Sequence, residues 1–182
     1  MSERLPGIRP RPNFWRRMDI LARQSFAVAS TAILLLVAAA PIGLPGQAHL
    51  LIAAAVCCVF FWSLFRPGAM SPPLTFLLGV LVDLLSYGPP GIGVLTLLLV
   101  QSAALHWRRL LVRQGFLIVW LAFVLVAVGT AMVQWLFTSI LLFSLLPPHE
   151  ALFQALLAAG LYPPLAVLLS RAHHSLAAAG EA

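Results

Sequence analysis

The stretch PPLTFLLGVLVDLLSYGPPGIG, residues 72–93, decides the fold because it sets one acidic residue, Asp83, inside a long apolar run. A carboxylate at membrane depth costs roughly 2.5–3.5 kcal/mol on insertion scales unless it faces protein or water. Pro-Pro pairs bound the run on both sides, and proline does not fit a helix interior. The roughly 16 residues between them span about 24 Å as helix, less than a hydrocarbon core of about 30 Å. The stretch therefore predicts a short membrane helix whose Asp83 faces protein.

The composition of the chain indicates an integral membrane protein. Of its 182 residues, 62% are hydrophobic and 9% are charged, whereas charged residues approach a quarter in soluble domains. The fifth apolar run is about 46 Å long as one helix, so it must tilt, project beyond the bilayer or break, most readily near Gly129 and Thr130. Apolar runs predict an all-α fold with about six transmembrane helices, at residues 26–42, 48–65, 72–87, 91–107, 116–146 and 151–169.

The arginines set the orientation of these helices. All 11 basic side chains are arginine, and they lie before the first run, after the second, between the fourth and fifth, and after the sixth. The positive-inside rule places these segments in the cytoplasm. This predicts a basic cytoplasmic N-terminal tail at residues 1–23, one membrane domain at 24–171 and a short cytoplasmic tail at 172–182. Because the charges follow the membrane ends, the expected partners include anionic lipids and exclude nucleic acid.

Two alternatives to six spans stay open. Residues 72–87 could re-enter the membrane, but this would move the arginines between the fourth and fifth runs outward, against the positive-inside bias. The basic N-terminus, the apolar run to Val37 and the alanines after it also resemble a secretory signal, whose cleavage would remove the first span. A basic lead of roughly 20 residues is long for such a signal, so a retained first helix is favoured.

Two polar faces lie within the apolar runs. Helical spacing places Thr75, Gly79 and Asp83 on one face of the third run, and Thr130 and Gln134 on one face of the fifth. Glycine allows close helix packing, so we expect the two faces to meet, with Thr75, Thr130 and Gln134 as candidate hydrogen-bond partners of Asp83. Asp83 is then either an ion, proton or substrate site, or a structural carboxyl that locks helix packing or caps the following turn. With no second charged residue at comparable depth, the structural interpretation is favoured.

Motifs of catalysis are missing from the sequence. It contains no nucleophile elbow, phosphate loop, dinucleotide fingerprint or paired carboxylates, so we predict neither an enzyme nor a cofactor. His49, His149 and Glu150 fall in predicted outer connections with a spacing that matches no compact ligand motif, and no metal site is predicted. Cys57 and Cys58 are adjacent within a span, which does not indicate a disulfide framework.

A more specific pattern runs through residues 73–93: a proline, an aromatic residue, a Leu-Gly pair, an aspartate four residues after the glycine, two leucines and a turn with proline and glycine. This pattern resembles the rod shape-determining protein MreD family. The doubled proline at Pro89-Pro90 departs from it and leaves the register of the turn open. The resemblance marks six structural or partner-binding positions, which are Phe76, Gly79, Asp83, Pro90, Gly91 and Gly93.

The resemblance implies a non-enzymatic, multi-pass scaffold of the bacterial inner membrane that is needed for rod shape and peptidoglycan synthesis. Proteins similar to it pair with MreC, a bitopic protein, within the elongasome, which also holds a wall polymerase, a transpeptidase and an actin-homologue filament with its adaptor. Self-association is left open. The family's fold is also similar to substrate-binding subunits of energy-coupling-factor transporters. The alternative is therefore a small-molecule-binding transporter subunit whose cavity is lined by Asp83, Thr75, Thr130 and Gln134.

Overall fold

The chain is all-helical wherever its structure is described, as the sequence predicts. The computed structural model describes the backbone of residues 14–40, 46–86, 88–143 and 147–178, and the side chains of those between 26 and 171. The helices in these ranges are α1 (Phe14–Ala38), α2 (Gln47–Phe65), α3 (Pro72–Ser86), α4 (Ile92–Leu111), α5 (Phe116–Leu141) and α6 (His149–Ala178).

Among the described residues, three helices are long and apolar enough to cross a membrane. These are α2, α5 and the part of α6 at His149–Arg171, while Phe26–Ala38 and α3 are shorter apolar helices. Length and composition thus indicate a membrane protein, and the count of six crossings stays a prediction. The similarity to transporter subunits also stays a prediction.

Several helix ends differ from the apolar runs. Helix α1 begins at Phe14, within the segment assigned to the N-terminal tail, and α6 continues to Ala178, within the segment assigned to the C-terminal tail. Helix α5 ends at Leu141, and residues 144–146 of the fifth run lie outside the described residues. Of the three alternatives for the fifth run, a break near Gly129 and Thr130 does not occur, because α5 is continuous there. Neither residue removes a backbone amide hydrogen as proline would.

Helix α2 forms the centre of the bundle. Its residues from Leu51 to Leu64 are buried, and it contacts α1, α3, α4 and α6, while α5 packs on α4 and α6. The middle of α2 is rich in alanine and contains the two free, buried cysteines, Cys57 and Cys58. Small side chains let neighbouring backbones approach closely in apolar surroundings, so several helices can pack around α2.

The described helices from α2 to α6 alternate in direction, which gives the bundle two distinct ends. At one end, Arg108 Nε in the last turn of α4 donates to the carbonyl of Leu64 in the last turn of α2, at 2.9 Å. Arg66 and Arg113 follow the ends of these two helices, so we call this the arginine end. The starts of α2, α4 and α6 and the ends of α3 and α5 meet around one cleft at the opposite end.

Helix α6 contains Pro163 and Pro164 in its interior, a feature that the sequence reading overlooked. Proline has no amide hydrogen to donate to the carbonyl four residues earlier, so Pro163 leaves the carbonyl of Ala159 without its helical donor. The indole Nε1 of Trp120 in α5 donates to this carbonyl at 3.0 Å. A side chain of the neighbouring helix thus replaces the lost backbone hydrogen bond and joins α5 to α6.

We predict that Trp120→Phe lowers the free energy of unfolding by about 0.5–1.5 kcal/mol, because the Ala159 carbonyl loses its donor in apolar surroundings. Pro163→Ala supplies a backbone amide hydrogen for the same carbonyl, so the cost of Trp120→Phe should shrink in that background. Reversible unfolding of the four proteins of this double-mutant cycle in bicelles measures both effects. Equal costs in the two backgrounds would contradict the assignment of the hydrogen bond.

Candidate functional site

Helices α3 and α4 form a tightly packed antiparallel hairpin, and Gly79 lies where their backbones are closest. A Cβ atom placed on Gly79 would come within 2.5 Å of the Val94 Cα atom, which is closer than real side chains approach a backbone. The two helices can therefore pack this closely only because residue 79 is glycine, which has no Cβ atom. A short connection that includes residues 88–91 joins them, so the helix that follows α3 in the chain is also its neighbour in space.

The carboxylate of Asp83, near the end of α3, binds the free amides at the start of α4. The amide of Gly93 donates to Oδ1 at 2.7 Å, that of Gly91 donates to Oδ2 at 2.8 Å, and that of Val94 approaches Oδ2 at 3.4 Å. The first amides of a helix have no partner within the helix, and its N-terminus carries partial positive charge. Asp83 thus acts as an N-cap that is supplied by a neighbouring helix.

Two further glycines make this arrangement possible. Gly91 is the N-cap residue of α4 and has φ of +95°, a left-handed conformation that glycine adopts without a steric penalty. A Cβ atom on Gly93 would lie 2.5 Å from Asp83 Oδ1 and 3.3 Å from the Gly79 carbonyl oxygen. Any side chain there would displace the carboxylate from the amides. Gly79, Asp83, Gly91 and Gly93, which we call the hairpin latch, therefore depend on one another.

The remaining two positions of the sequence pattern lie outside the latch. Phe76 is 47% exposed, and Pro90 is exposed in the connection between the helices. The structure thus separates the six positions into four that build the hairpin and two that face its surroundings.

The candidate polar partners of Asp83 have different contacts. Thr75 is buried and its hydroxyl has no hydrogen-bond partner, whereas the Thr130 hydroxyl donates to the Val126 carbonyl within its own helix at 2.8 Å. Gln134 accepts a hydrogen bond from Gln154 of α6 at 2.7 Å. The expectation that the faces of α3 and α5 pack together is wrong, because the short connection makes α4 the neighbour of the Gly79 face.

A cleft of about 180 Å³ opens beside the latch, at the end of the bundle away from the arginines. Asp83 and Gln134 line it from opposite sides, while Thr75 and Thr130 do not. Two further polar side chains in its lining, His49 and Glu150, come from the first turns of α2 and α6. His149 does not line it, and among the described residues no group of three His, Cys, Asp or Glu side chains could hold a metal ion.

The sequence predicts His49 and Glu150 in connections on the outer side of the membrane, but it does not predict that they lie near Asp83. A usable signal was present, since both residues occupy first helical turns at the arginine-free end, where the end of α3 must also lie in an alternating bundle. Gln154 follows Glu150 by four residues and shares its face. Together these positions indicate a polar cluster at that end.

Comparison with known proteins agrees with the sequence pattern. The model of the family described as rod shape-determining protein MreD matches residues 22–172. No curated protein and no solved structure matches the chain significantly. The matched range includes the hairpin latch and the cleft.

We predict that Gly79→Ala lowers the free energy of unfolding by about 1–3 kcal/mol, because the added methyl group overpacks the contact with the Val94 backbone. Gly129→Ala is the matched control, since it places the same group on a helical glycine with nothing within 4 Å. Alanine has the higher helix propensity, so this variant should unfold at or above the wild-type denaturant concentration. Similar losses in the two variants would show that the close approach of α3 and α4 is not what Gly79 provides.

A second prediction concerns the carboxylate. Asp83→Leu should lower the free energy of unfolding by about 2 kcal/mol or more, because it removes a charge-assisted cap of two strong hydrogen bonds. Asp83→Asn keeps one acceptor oxygen and should cost about half as much. Denaturant titration of the purified variants measures the order wild type, Asn, Leu. A Leu variant as stable as the wild type would contradict the capping role.

Proposed function

Because the chain belongs to the rod shape-determining protein MreD family, we propose that it is a non-enzymatic, multi-pass scaffold of the bacterial inner membrane that binds an MreC-like partner. Family membership implies a role in the determination of rod shape. The proposal adds that this role is exerted within the wall-elongation complex, through contact between transmembrane helices. The termini and the arginine end would face the cytoplasm, and the cleft would face outward.

The proposal rests on a difference in burial between the helices: α2 is largely buried, whereas most of α5 is not. In the most apolar part of α2, 78% of the residues are buried in the bundle. In the most apolar part of α5, 33% of the residues are buried. Leu121, Leu125, Met132 and Leu136 are exposed along one side of α5, at the spacing of a helix face. Lipid or a partner helix must cover this face.

Gly129 supports a partner helix rather than lipid on this face. It is exposed in the middle of α5 with nothing within 4 Å, so it fills no gap inside the bundle. Glycine lowers helix propensity by about 1 kcal/mol relative to alanine, yet on an exposed helix face in a membrane it permits another backbone to come close. We infer that the partner helix crosses α5 at Gly129.

We predict that Gly129→Leu reduces the amount of MreC-like partner that co-purifies in mild detergent roughly tenfold, equivalent to about 1.4 kcal/mol. The unfolding of the isolated protein should not change, because the new side chain meets open space. Gly160→Leu is the matched control, since Gly160 is also an exposed helical glycine with nothing within 4 Å, but in α6.

The possible outcomes separate the parts of this proposal. A loss with Gly129→Leu alone supports α5 as the docking face. A loss with Gly160→Leu alone would move the docking face to α6 and keep the scaffold role. No co-purification of the wild-type protein with the partner would count against the scaffold itself.

The cleft favours a second candidate function, small-molecule binding in the manner of a transporter subunit. Its lining by Asp83 and Gln134 is the observation that supports it. Under this function, Gln134→Ala should abolish ligand binding while leaving the partner bound. Under the scaffold function alone, the same variant should have no ligand-dependent effect.

A further inference from the structure

The cleft beside the hairpin latch has a chemistry that differs from the rest of the bundle. It is lined by the two acidic side chains Asp83 and Glu150, and no arginine lines it. Arg66, Arg108 and Arg113 lie instead at the opposite end. The formal charges of the lining are therefore negative, while the starts of α2, α4 and α6 add partial positive charge at the same end. Attraction for a cation then comes from close contact with a carboxylate that is not already bound by a helix start.

The acids do not have the same freedom to bind a ligand. Both oxygens of Asp83 already accept hydrogen bonds from the start of α4, and the partial positive charge of that helix start offsets part of the negative charge of this carboxylate. Glu150 lies in the first turn of α6 and lines the cleft, and its side chain is not committed to a salt bridge among the described residues. Glu150 is therefore the group that can approach a cation directly.

The remaining lining suits an organic cation rather than a hydrated ion. Trp135 lines the cleft from α5, and aromatic faces attract ammonium and guanidinium groups. Ile52, Val82 and Ile92 supply apolar surface for a short hydrocarbon stem. The volume of about 180 Å³ exceeds the space that one or two waters need.

Two polar atoms in the lining can accept hydrogen bonds from such a group. His49 Nδ1 is buried and has no partner, and a neutral imidazole can accept at one nitrogen. Gln154 is 8% exposed, and since its amide nitrogen donates to Gln134, its oxygen remains as an acceptor. The buried hydroxyls of Ser63, Thr75 and Ser139 also have no partner, but of these four residues it is His49 that lines the cleft.

We propose that this cleft binds an organic cation, an ammonium or guanidinium group on a short apolar stem, with Glu150 as its counter-ion and Trp135 as its aromatic contact. Gln154 and His49 accept its hydrogen bonds. The cation is either a free amine or a basic side chain of a partner segment at the same end. The first arm of the test below uses the isolated protein, so partner binding can fail without affecting it.

The test of the site is the thermal unfolding of the purified full-length protein in mild detergent with butylammonium chloride. Butanol and sodium butyrate are the neutral and anionic probes of similar size. We expect a saturable rise in Tm with butylammonium alone, and a roughly tenfold weaker apparent affinity in Glu150→Gln. Glu181→Gln makes the same charge change near the C-terminus and should keep the wild-type affinity. Equal shifts with the three probes, or wild-type affinity in Glu150→Gln, would overturn the proposal.

Trp135 provides a second comparison that does not depend on the folding of Glu150→Gln. Trp135→Phe keeps an aromatic face and should retain most of the butylammonium effect, whereas Trp135→Leu should lose it. Equal affinities in these two variants would overturn the aromatic contact and with it the choice of an organic cation.

A second arm identifies the source of the cation. If it is a free amine, native mass spectrometry of protein released from membranes should show a small adduct that is missing in Glu150→Gln. If it belongs to a partner, butylammonium should displace that partner from the co-purified complex. Neither adduct nor displacement, together with an unchanged Tm, would refute the site.

Discussion

The pairing of one carboxylate with the first amides of a neighbouring helix is the interaction on which the rest of the structure depends. It joins the end of α3 to the start of α4 by hydrogen bonds of 2.7 and 2.8 Å. Such bonds fix direction as well as distance, so the pairing sets the angle between the two helices. The pairing requires glycine at positions 79 and 93. A methyl group at Gly79 would separate the helices, and one at Gly93 would displace the carboxylate. The hairpin of α3 and α4 then forms one wall of the cleft and packs against α2.

The same physical requirement recurs elsewhere in the bundle, because backbone amide and carbonyl groups in apolar surroundings need hydrogen-bond partners. The Trp120 indole donates to the carbonyl that Pro163 leaves open, and Gln101 donates to the carbonyl of Met70 at 2.6 Å. Arg108 donates to the last turn of α2. In each case a side chain of one helix bonds the backbone of another segment, so the groups that are costly in lipid are also those that hold the helices in register.

The sequence allowed the helical class, the approximate helix positions and the importance of Gly79 and Asp83 to be predicted, because each rests on local rules such as apolar run length and helical spacing. It offered the capping of the following turn as one role of Asp83, but it did not show that the bound amides are those of Gly91 and Gly93 at the start of α4, since an amide has no side-chain signature. The predicted contact of α3 with α5 was wrong for the same reason: spacing shows which face of a helix is polar but not which neighbour it meets. The transporter alternative anticipated a cavity lined by Asp83 and Gln134, but it also placed Thr75 and Thr130 there and missed His49 and Glu150. These two residues come from helix starts that are distant in the chain from Asp83.

The tightly packed part of the bundle, α2 to α4, is distinct from α5, whose apolar surface is exposed. The latch binds α3 to α4 and both pack on the buried α2, whereas α5 leaves most of its apolar surface uncovered. A substitution at Gly79 or Asp83 therefore changes the shape of the bundle without altering the α5 face that is proposed to bind a partner. Loss of function in such variants should be accompanied by loss of stability, whereas loss of function at Gly129 should occur in a fully stable protein. This difference in mechanism follows from the packing, and it is the pattern expected of a scaffold whose fold presents a surface rather than a reacting group.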